Sequence, residues 1–304
     1  MEHPKTLVEF MEMYGTEEAC QQALFDHRWP DGYACPRCGE TRCYEVRTRH
    51  LLECTACGYQ VSLTSGTILH KTRTGLRKWF LAIYLMSTTK KALSAAELGR
   101  QIGVASQTAW TIRRKIVHSM ARRGGELLLA GTVEMDETYV GGGGPDARGR
   151  RAGDKAVVAV MAQITAGGGL ALAHMRIIPD ASTDSLRDAA RATVAPKAVL
   201  KTDGWAAYQK VASGLDLGHD ATVQGDPGNA ANVLPNVHLV ISNFKRWVDG
   251  IFHGVSNKHL QSYLDEFCYR LNRRYQRTDL FRRLLNRCCL YCGPVTYAAL
   301  TAAS

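Results

Sequence analysis

The chain has 304 residues, 45% of them hydrophobic, long enough for a sizeable core with one or two small appendages. Its formal charge of +10 and pI near 9.2 point to an acidic partner, a profile that ribosomal and RNA-binding proteins share. No apolar run reaches membrane-spanning length, and the first thirty residues carry acidic groups where a secretory signal needs an apolar stretch. A cytoplasmic protein is therefore expected.

Residues 5–28 read as one or two short amphipathic helices carrying Leu7, Phe10, Met11, Leu24 and Phe25, closed by a turn at Trp29-Pro30-Asp31-Gly32. Two Cys-x-x-Cys knuckles follow, Cys35/Cys38 and Cys54/Cys57, with the third cysteine sixteen positions after the second. Two tight turns offering two thiolates each, joined across a short antiparallel sheet, make a zinc ribbon. Four ligands leave no open position, so structural Zn2+ is expected there and the chemistry elsewhere. Thiolate ligands also imply a reducing compartment. Cys43 and His50 lie off the knuckle pattern and read as non-ligands.

From Thr74 to Arg123 the pattern is helical. Leu76, Trp79, Phe80, Ile83 and Tyr84 form one apolar stripe, and Ser94 with Glu97 reads as a capping box. A turn at Gly103 separates two helices in the manner of a helix-turn-helix. The early polar residues Ser106, Gln107 and Thr108, with the later Arg113, Arg114 and Lys115, are the candidate DNA contacts; an ordinary helical hairpin is the alternative. Charge agrees with a phosphate-binding surface: residues 41–125 hold fifteen Lys/Arg against three Asp/Glu, and residues 245–290 hold ten against four.

The period changes at Val133–Val140, a short strand with two adjacent acids. A Gly/Arg loop over Gly141–Arg151 follows, then apolar strands at Ala156–Ile164 and Leu170–Ile178, a helix through Arg191, a fourth strand ending on Asp203, and another helix. The order β-β-β-α-β-α is that of a ribonuclease-H-like α/β fold, whose neighbouring central strands deliver acids to one edge. Asp136 and Glu137 must point to opposite faces, so only one of them looks towards Asp203. Asp136 is favoured over Glu134, which shares its parity, because it lies nearer the strand end. Two carboxylates held together require a cation such as Mg2+, which supports in-line phosphoryl transfer. His174 and His219 read as ordinary strand and turn residues, Asp265 and Glu266 as packing or surface residues, and Cys288, Cys289 and Cys292 as helix and turn residues.

The knuckles, the helical segment, Val-Glu-Met-Asp-Glu-Thr-Tyr-Val-Gly-Gly, Lys-Thr-Asp-Gly-Trp-Ala-Ala-Tyr and His-Gly-Val-Ser-Asn-Lys-His-Leu-Gln-Ser-Tyr-Leu-Asp-Glu-Phe-Cys-Tyr-Arg-Leu-Asn-Arg-Arg together resemble bacterial insertion-sequence transposases with a zinc-ribbon head and an integrase-like core, over roughly residues 15–285. The resemblance implies a helical segment at 1–30, the ribbon at 31–65, a helix-turn-helix-like segment at 74–125, a catalytic domain at 130–285 and a tail at 286–304. It implies metal-dependent cleavage at transposon ends and strand transfer into target DNA, with double-stranded DNA as partner, a homodimer or higher oligomer on that DNA, and a nucleoid-associated location. Asp136 and Asp203 take the first two metal-ligand positions. The family's usual third acid stands seven residues before a Lys-Arg pair; here Lys245-Arg246 is the pair and His238 stands at that spacing. The third ligand is then His238 or Asn243, and a histidine tilts the site from Mg2+ towards Mn2+. Lys245 and Arg246 would clamp a phosphate. A decayed, DNA-binding but non-catalytic relative and a metal-dependent nuclease are the alternatives.

Overall fold

The computed structural model describes residues 4–89, 91–121, 128–141, 155–222, 233–252, 255–275 and 279–302. The Gly/Arg loop after Gly141, Gly124-Gly125, Asp226, His253-Gly254 and Arg277 lie outside the described residues. Two compact units result, one from residues up to Met120 with 279–302, the other from Ala121–Tyr275.

The first unit opens with α1 (Leu7–Tyr14) and α2 (Glu17–Arg28). Both start on an extended threonine whose hydroxyl accepts a backbone N–H: Thr6 from Glu9 at 3.2 Å and Thr16 from Ala19 at 3.1 Å. Phe10 and Leu24 are buried, whereas Leu7 and Met11 lie on the exposed side of α1. Then comes a three-stranded antiparallel sheet, β1 (Cys43–Val46), β2 (Leu51–Cys54) and β3 (Gln60–Ser62). In α3 (Leu76–Thr88) the whole expected stripe is buried. No residue of its own caps α3 through a side chain; the Glu17 carboxylate does so instead, accepting from the N–H groups of Leu76 at 2.6 Å and Arg77 at 3.0 Å.

Helices α4 (Ala95–Ile102) and α5 (Ser106–Met120) are joined at Gly103, which has φ 65° and returns its N–H to Gly99. That left-handed conformation favours glycine and ends α4 within one residue. Only half of the expected capping box forms. The Ser94 hydroxyl accepts from Glu97 N–H at 3.2 Å, but the Glu97 carboxylate turns forward to Arg100 and Gln101. Two neighbouring donors on its own helix outcompete one backbone N–H. The helix Leu280–Asn286 returns to this unit, and its Phe281 ring stacks with Phe10 at 5.7 Å and Tyr14 at 5.5 Å.

The second unit is a mixed α/β layer structure. Strands β4 (Thr132–Val140), β5 (Ala156–Ile164) and β6 (Leu170–Ile178) form an antiparallel meander. After α6 (Thr183–Arg191), β7 (Val199–Thr202) runs parallel to β4; after α7 (Ala206–Ser213), β8 (Gly218–Ala221) runs parallel to β7. The order across the sheet is β6-β5-β4-β7-β8. Strand β8, Gly-His-Asp-Ala, carries no apolar alternation that would predict it; it pairs along the edge of β7, and His219 Nε2 lies 3.0 Å from the Thr202 hydroxyl. Strand parity sorts the core. Val133, Met135, Ala159 and Met161 pack with Leu186, Tyr208 and Val211 on one face. Val140, Val158, Val160 and Met175 pack on the other against α8 (Pro235–Phe252) and α9 (Leu260–Asn272). Each fully buried side chain of this size contributes roughly 1.5–3 kcal/mol, so the two faces together fix which way every residue of β4 points.

Candidate active site

The knuckle turns are closed by backbone bonds from Gly39 N–H to the Cys35 carbonyl at 2.9 Å and from Gly58 N–H to Cys54 at 3.0 Å. The Cys35 and Cys57 sulfurs stand 3.7 Å apart and those of Cys38 and Cys54 3.5 Å apart, with all four inside 4.8 Å. Tetrahedral zinc with bonds of about 2.3 Å needs sulfurs about 3.8 Å apart, so the set fits the ion. Desolvation opposes ionisation of Cys35, but the N–H groups of Arg37 and Cys38, with neighbouring thiols, bring its pKa down to about 6. Cys43 and His50 are outside this set. Among the described residues no other group of three or more ligand-type side chains converges as closely.

On β4 the alternation separates the two adjacent acids. Glu137 takes the face of Val133 and Met135, where its carboxylate accepts from the Tyr208 hydroxyl at 2.7 Å. Asp136 takes the opposite face, with Oδ2 at 3.9 Å from His238 Nε2. In the parallel β4–β7 register, Val133 faces Leu200 and Glu134 faces Lys201. Asp203 stands directly after β7, where the chain leaves the strand for α7. One Asp203 oxygen accepts from Trp205 N–H at 3.0 Å, tying the carboxylate to the turn into α7. Tyr208, well buried, has its pKa pushed up by desolvation and then by the charges of Glu137, Asp136 and Asp203, of which Glu137 accepts its hydroxyl.

His238, Asn243, Lys245 and Arg246 all lie on α8. Five residues along a helix rotate by about 140°, whereas seven return to almost the same face. His238 and Lys245 therefore share the face that carries the Asp136 contact. Asn243 is turned away, and its Oδ1 accepts from Arg246 Nη2 at 3.0 Å. Lys245 is exposed; desolvation beside the fold lowers its pKa, Lys155 nearby lowers it further, and Asp249 opposes the shift. Arg246 is exposed and folds back along its own helix, with Nε donating to the Ser242 carbonyl at 3.3 Å. Asp136 and His238 are the pair brought together here, an oxygen and a nitrogen donor of the kinds that divalent cations take. The Asp136–His238 separation lies somewhat above the roughly 3 Å between adjacent ligands of a six-coordinate ion.

The candidate DNA contacts on α5 divide. Ser106 and Gln107 are exposed at its start and Thr108 is half-buried; Gln107 Nε2 donates to the Tyr297 hydroxyl at 2.9 Å. Arg113 and Arg114 require correction. They are only 3% and 7% exposed, and their guanidinium groups donate to the carbonyls of Leu93 at 2.7 Å and Leu300 at 3.2 Å. Lys115, half-buried, donates to the Ile68 carbonyl at 2.8 Å. The cause is helical period: Ala109, Arg113, Ile116 and Met120 form one buried stripe, so position 113 faces inward whatever its charge. These three cations hold carbonyls that would otherwise be buried without partners.

Two participants escaped the sequence reading. Glu134, 1% exposed, accepts from the N–H groups of Asn236 and Val237, each at 2.8 Å, and from Asn236 Nδ2 at 3.0 Å. Tyr208 clamps Glu137. The signal for Glu134 was present in its shared parity with Asp136; a buried acid on a strand requires donors, and a helix start supplies them.

Comparison with known proteins gives two domain matches. Residues 128–272 match an ISXO2-like transposase domain and residues 15–60 a transposase zinc-ribbon domain. The chain is 27% identical over 281 residues to an uncharacterized protein in transposable element ISH50 of Halobacterium salinarum, covering 83% of this chain and 90% of that protein. Among solved structures, a simian T-cell lymphotropic virus intasome in complex with PP2A regulatory subunit B56 gamma aligns at TM-score 0.30 and 14% identity, over 60% of this chain and 66% of the other.

Proposed function

Because the chain belongs to the zinc-ribbon insertion-sequence transposase family, we propose that it is a DNA transposase with a ribonuclease-H-like core. It hydrolyses a phosphodiester at its element's ends, and the freed 3′-hydroxyl then attacks a target phosphodiester, joining element to target and releasing a target 3′-hydroxyl. The observation that carries this reading is the approach of His238 to Asp136 at 3.9 Å on a strand paired in parallel with the one that delivers Asp203. The sheet order, an antiparallel meander continued by two parallel strands, supports the fold.

Asp136, Asp203 and His238 would hold the divalent cation, Mg2+ or Mn2+, and Asn243 is the less suited third ligand because its amide oxygen is engaged by Arg246. When bound, such an ion activates an attacking water or hydroxyl and offsets charge at the phosphate. The protein's own groups do the rest. Lys245, on the face of α8 that carries His238, donates to a phosphate oxygen. Arg246 holds a neighbouring phosphate, and Ser106, Gln107 and Thr108 at the exposed start of α5 meet the duplex. The ribbon, braced by Zn2+, positions DNA and takes no part in the chemistry. Two ends must be held together, so at least a dimer forms on DNA.

The test is incubation with Mg2+ or Mn2+ and a duplex carrying the inverted repeats that flank the gene. Strand joining supports the proposal. Cleavage without joining makes the protein a nuclease, and binding without reaction makes it a non-catalytic DNA-binding relative. Among the described residues no helix is long and apolar enough to cross a membrane.

A further inference from the structure

We infer that Glu134 is a positioning residue of this active site, fixing the start of α8 on β4 so that His238 stands over Asp136. The inference rests on the transposase reading above. Glu134 and Asp136 share one face of β4, two residues apart, and both reach α8: Glu134 at its first turn, Asp136 through His238. Glu134 Oε2 accepts both Asn236 N–H and Val237 N–H, and Oε1 accepts Asn236 Nδ2. The same amide nitrogen donates to the Gly168 carbonyl at 3.2 Å, in the turn between β5 and β6. A buried carboxylate with three donors thus ties the strand of Asp136 to the helix of His238, and the Asn236 amide extends the tie to the adjoining hairpin.

The physical logic favours a fixed geometry over mere stability. Helix α8 begins at Pro235, which pre-sets the first turn but leaves the following N–H groups without intrahelical partners. A residue just before the helix usually supplies the acceptor. Here the acceptor comes from the sheet, so the helix start is referenced to β4 itself. His238 follows Asn236 by two residues, and any rotation or slide of the first turn is passed directly to its imidazole.

The intact protein is compared with Glu134→Gln and with the milder Asn236→Ala, which keeps both backbone donors. The readouts are hydrogen exchange of the Asn236 and Val237 amides, Mn2+ broadening of the His238 imidazole NMR signals, and duplex cleavage. In Glu134→Gln the two amides should exchange at least about tenfold faster, and the Mn2+ required should rise about 10–100-fold, the usual cost of losing a group that orients a ligand. Cleavage should slow and recover towards the wild-type rate at raised Mn2+, with duplex affinity unchanged; Asn236→Ala should move the same way by less. Unchanged Mn2+ dependence in both variants overturns the inference, even if the amides exchange faster, because Glu134 would then be a cap and nothing more. A wild-type chain whose His238 signals ignore Mn2+ overturns it as well. A wild-type chain that binds Mn2+ at His238 but cleaves nothing defeats the transposase reading alone, and the Mn2+ comparison still decides the role of Glu134.

Discussion

Replacing Arg113 with methionine separates a DNA contact from a structural cation. Methionine keeps most of the apolar stem but removes the guanidinium that donates to the Leu93 carbonyl at 2.7 Å in a site 3% exposed. A hydrogen bond from a charged donor contributes about 1.5–3 kcal/mol, and the abandoned carbonyl stays buried. Against a total stability of about 5–15 kcal/mol, that is a large fraction. Denaturant unfolding of the variant should show a lowered midpoint with the slope retained. Duplex binding measured over a salt series should show the same dependence of log K on log salt as the wild type. Arg246→Ala should do the reverse, leaving the unfolding midpoint in place and reducing the salt slope by about 0.9, the loss of one phosphate contact. If Arg113→Met reduced the salt slope and left stability unchanged, the inward orientation of α5 would be refuted.

Stripping zinc with a chelator, or replacing Cys54 with serine, should release β1–β3 to rapid hydrogen exchange while β4–β7 stay protected; structural zinc supplies about 10–16 kcal/mol in such modules, and retention of ribbon protection without metal would count against a four-thiolate site. Asp136→Ala and Asp203→Ala should abolish cleavage. Glu137→Ala should retain it while lowering stability by about 1–3 kcal/mol, since the Tyr208 hydroxyl loses its acceptor; loss of chemistry in Glu137→Ala alone would reverse the assignment of strand faces. Burial raises the Asp265 pKa to about 6, against a hydrogen bond from Gln261 and the nearby Arg176 charge that lower it. The folded state therefore holds a proton that the unfolded state gives up, and stability from this group is present below about pH 4 and lost as pH rises through about 6. Asp265→Asn should flatten the unfolding midpoint across that window, and an unaltered pH profile would show that the group is solvated.

Much of the site could be read from residue order, for a physical reason. Two-residue periodicity alone places Asp136 and Glu137 on opposite faces, and the knuckle spacing alone brings four sulfurs together. What could not be read was where charge is spent on structure. The sequence offers Arg113 as a DNA contact and Glu134 as a rival to Asp136, yet each binds backbone groups contributed by other segments, Leu93 for one and Asn236 with Val237 for the other. Those partners appear only once the chain has folded. Asn243 illustrates the same limit: it lies five residues after His238, about 140° round the helix, and its amide oxygen accepts from Arg246.

The aromatic cluster of Phe10, Tyr14, Phe80 and Tyr84 is completed by Phe281, which lies beyond the whole of the second unit in the chain. The second unit is therefore an insertion within the first. During synthesis at about 5–20 residues per second, the segment between Met120 and Leu280 takes on the order of ten to thirty seconds to emerge. Throughout that interval the N-terminal helices lack one wall of their core. The inserted unit, continuous in sequence, has every residue it needs before the flanking unit can close. The order of folding is thereby set by connectivity: a nascent chain completes its inserted domain first, and the ribbon-bearing unit closes only once Leu280–Asn286 has been made.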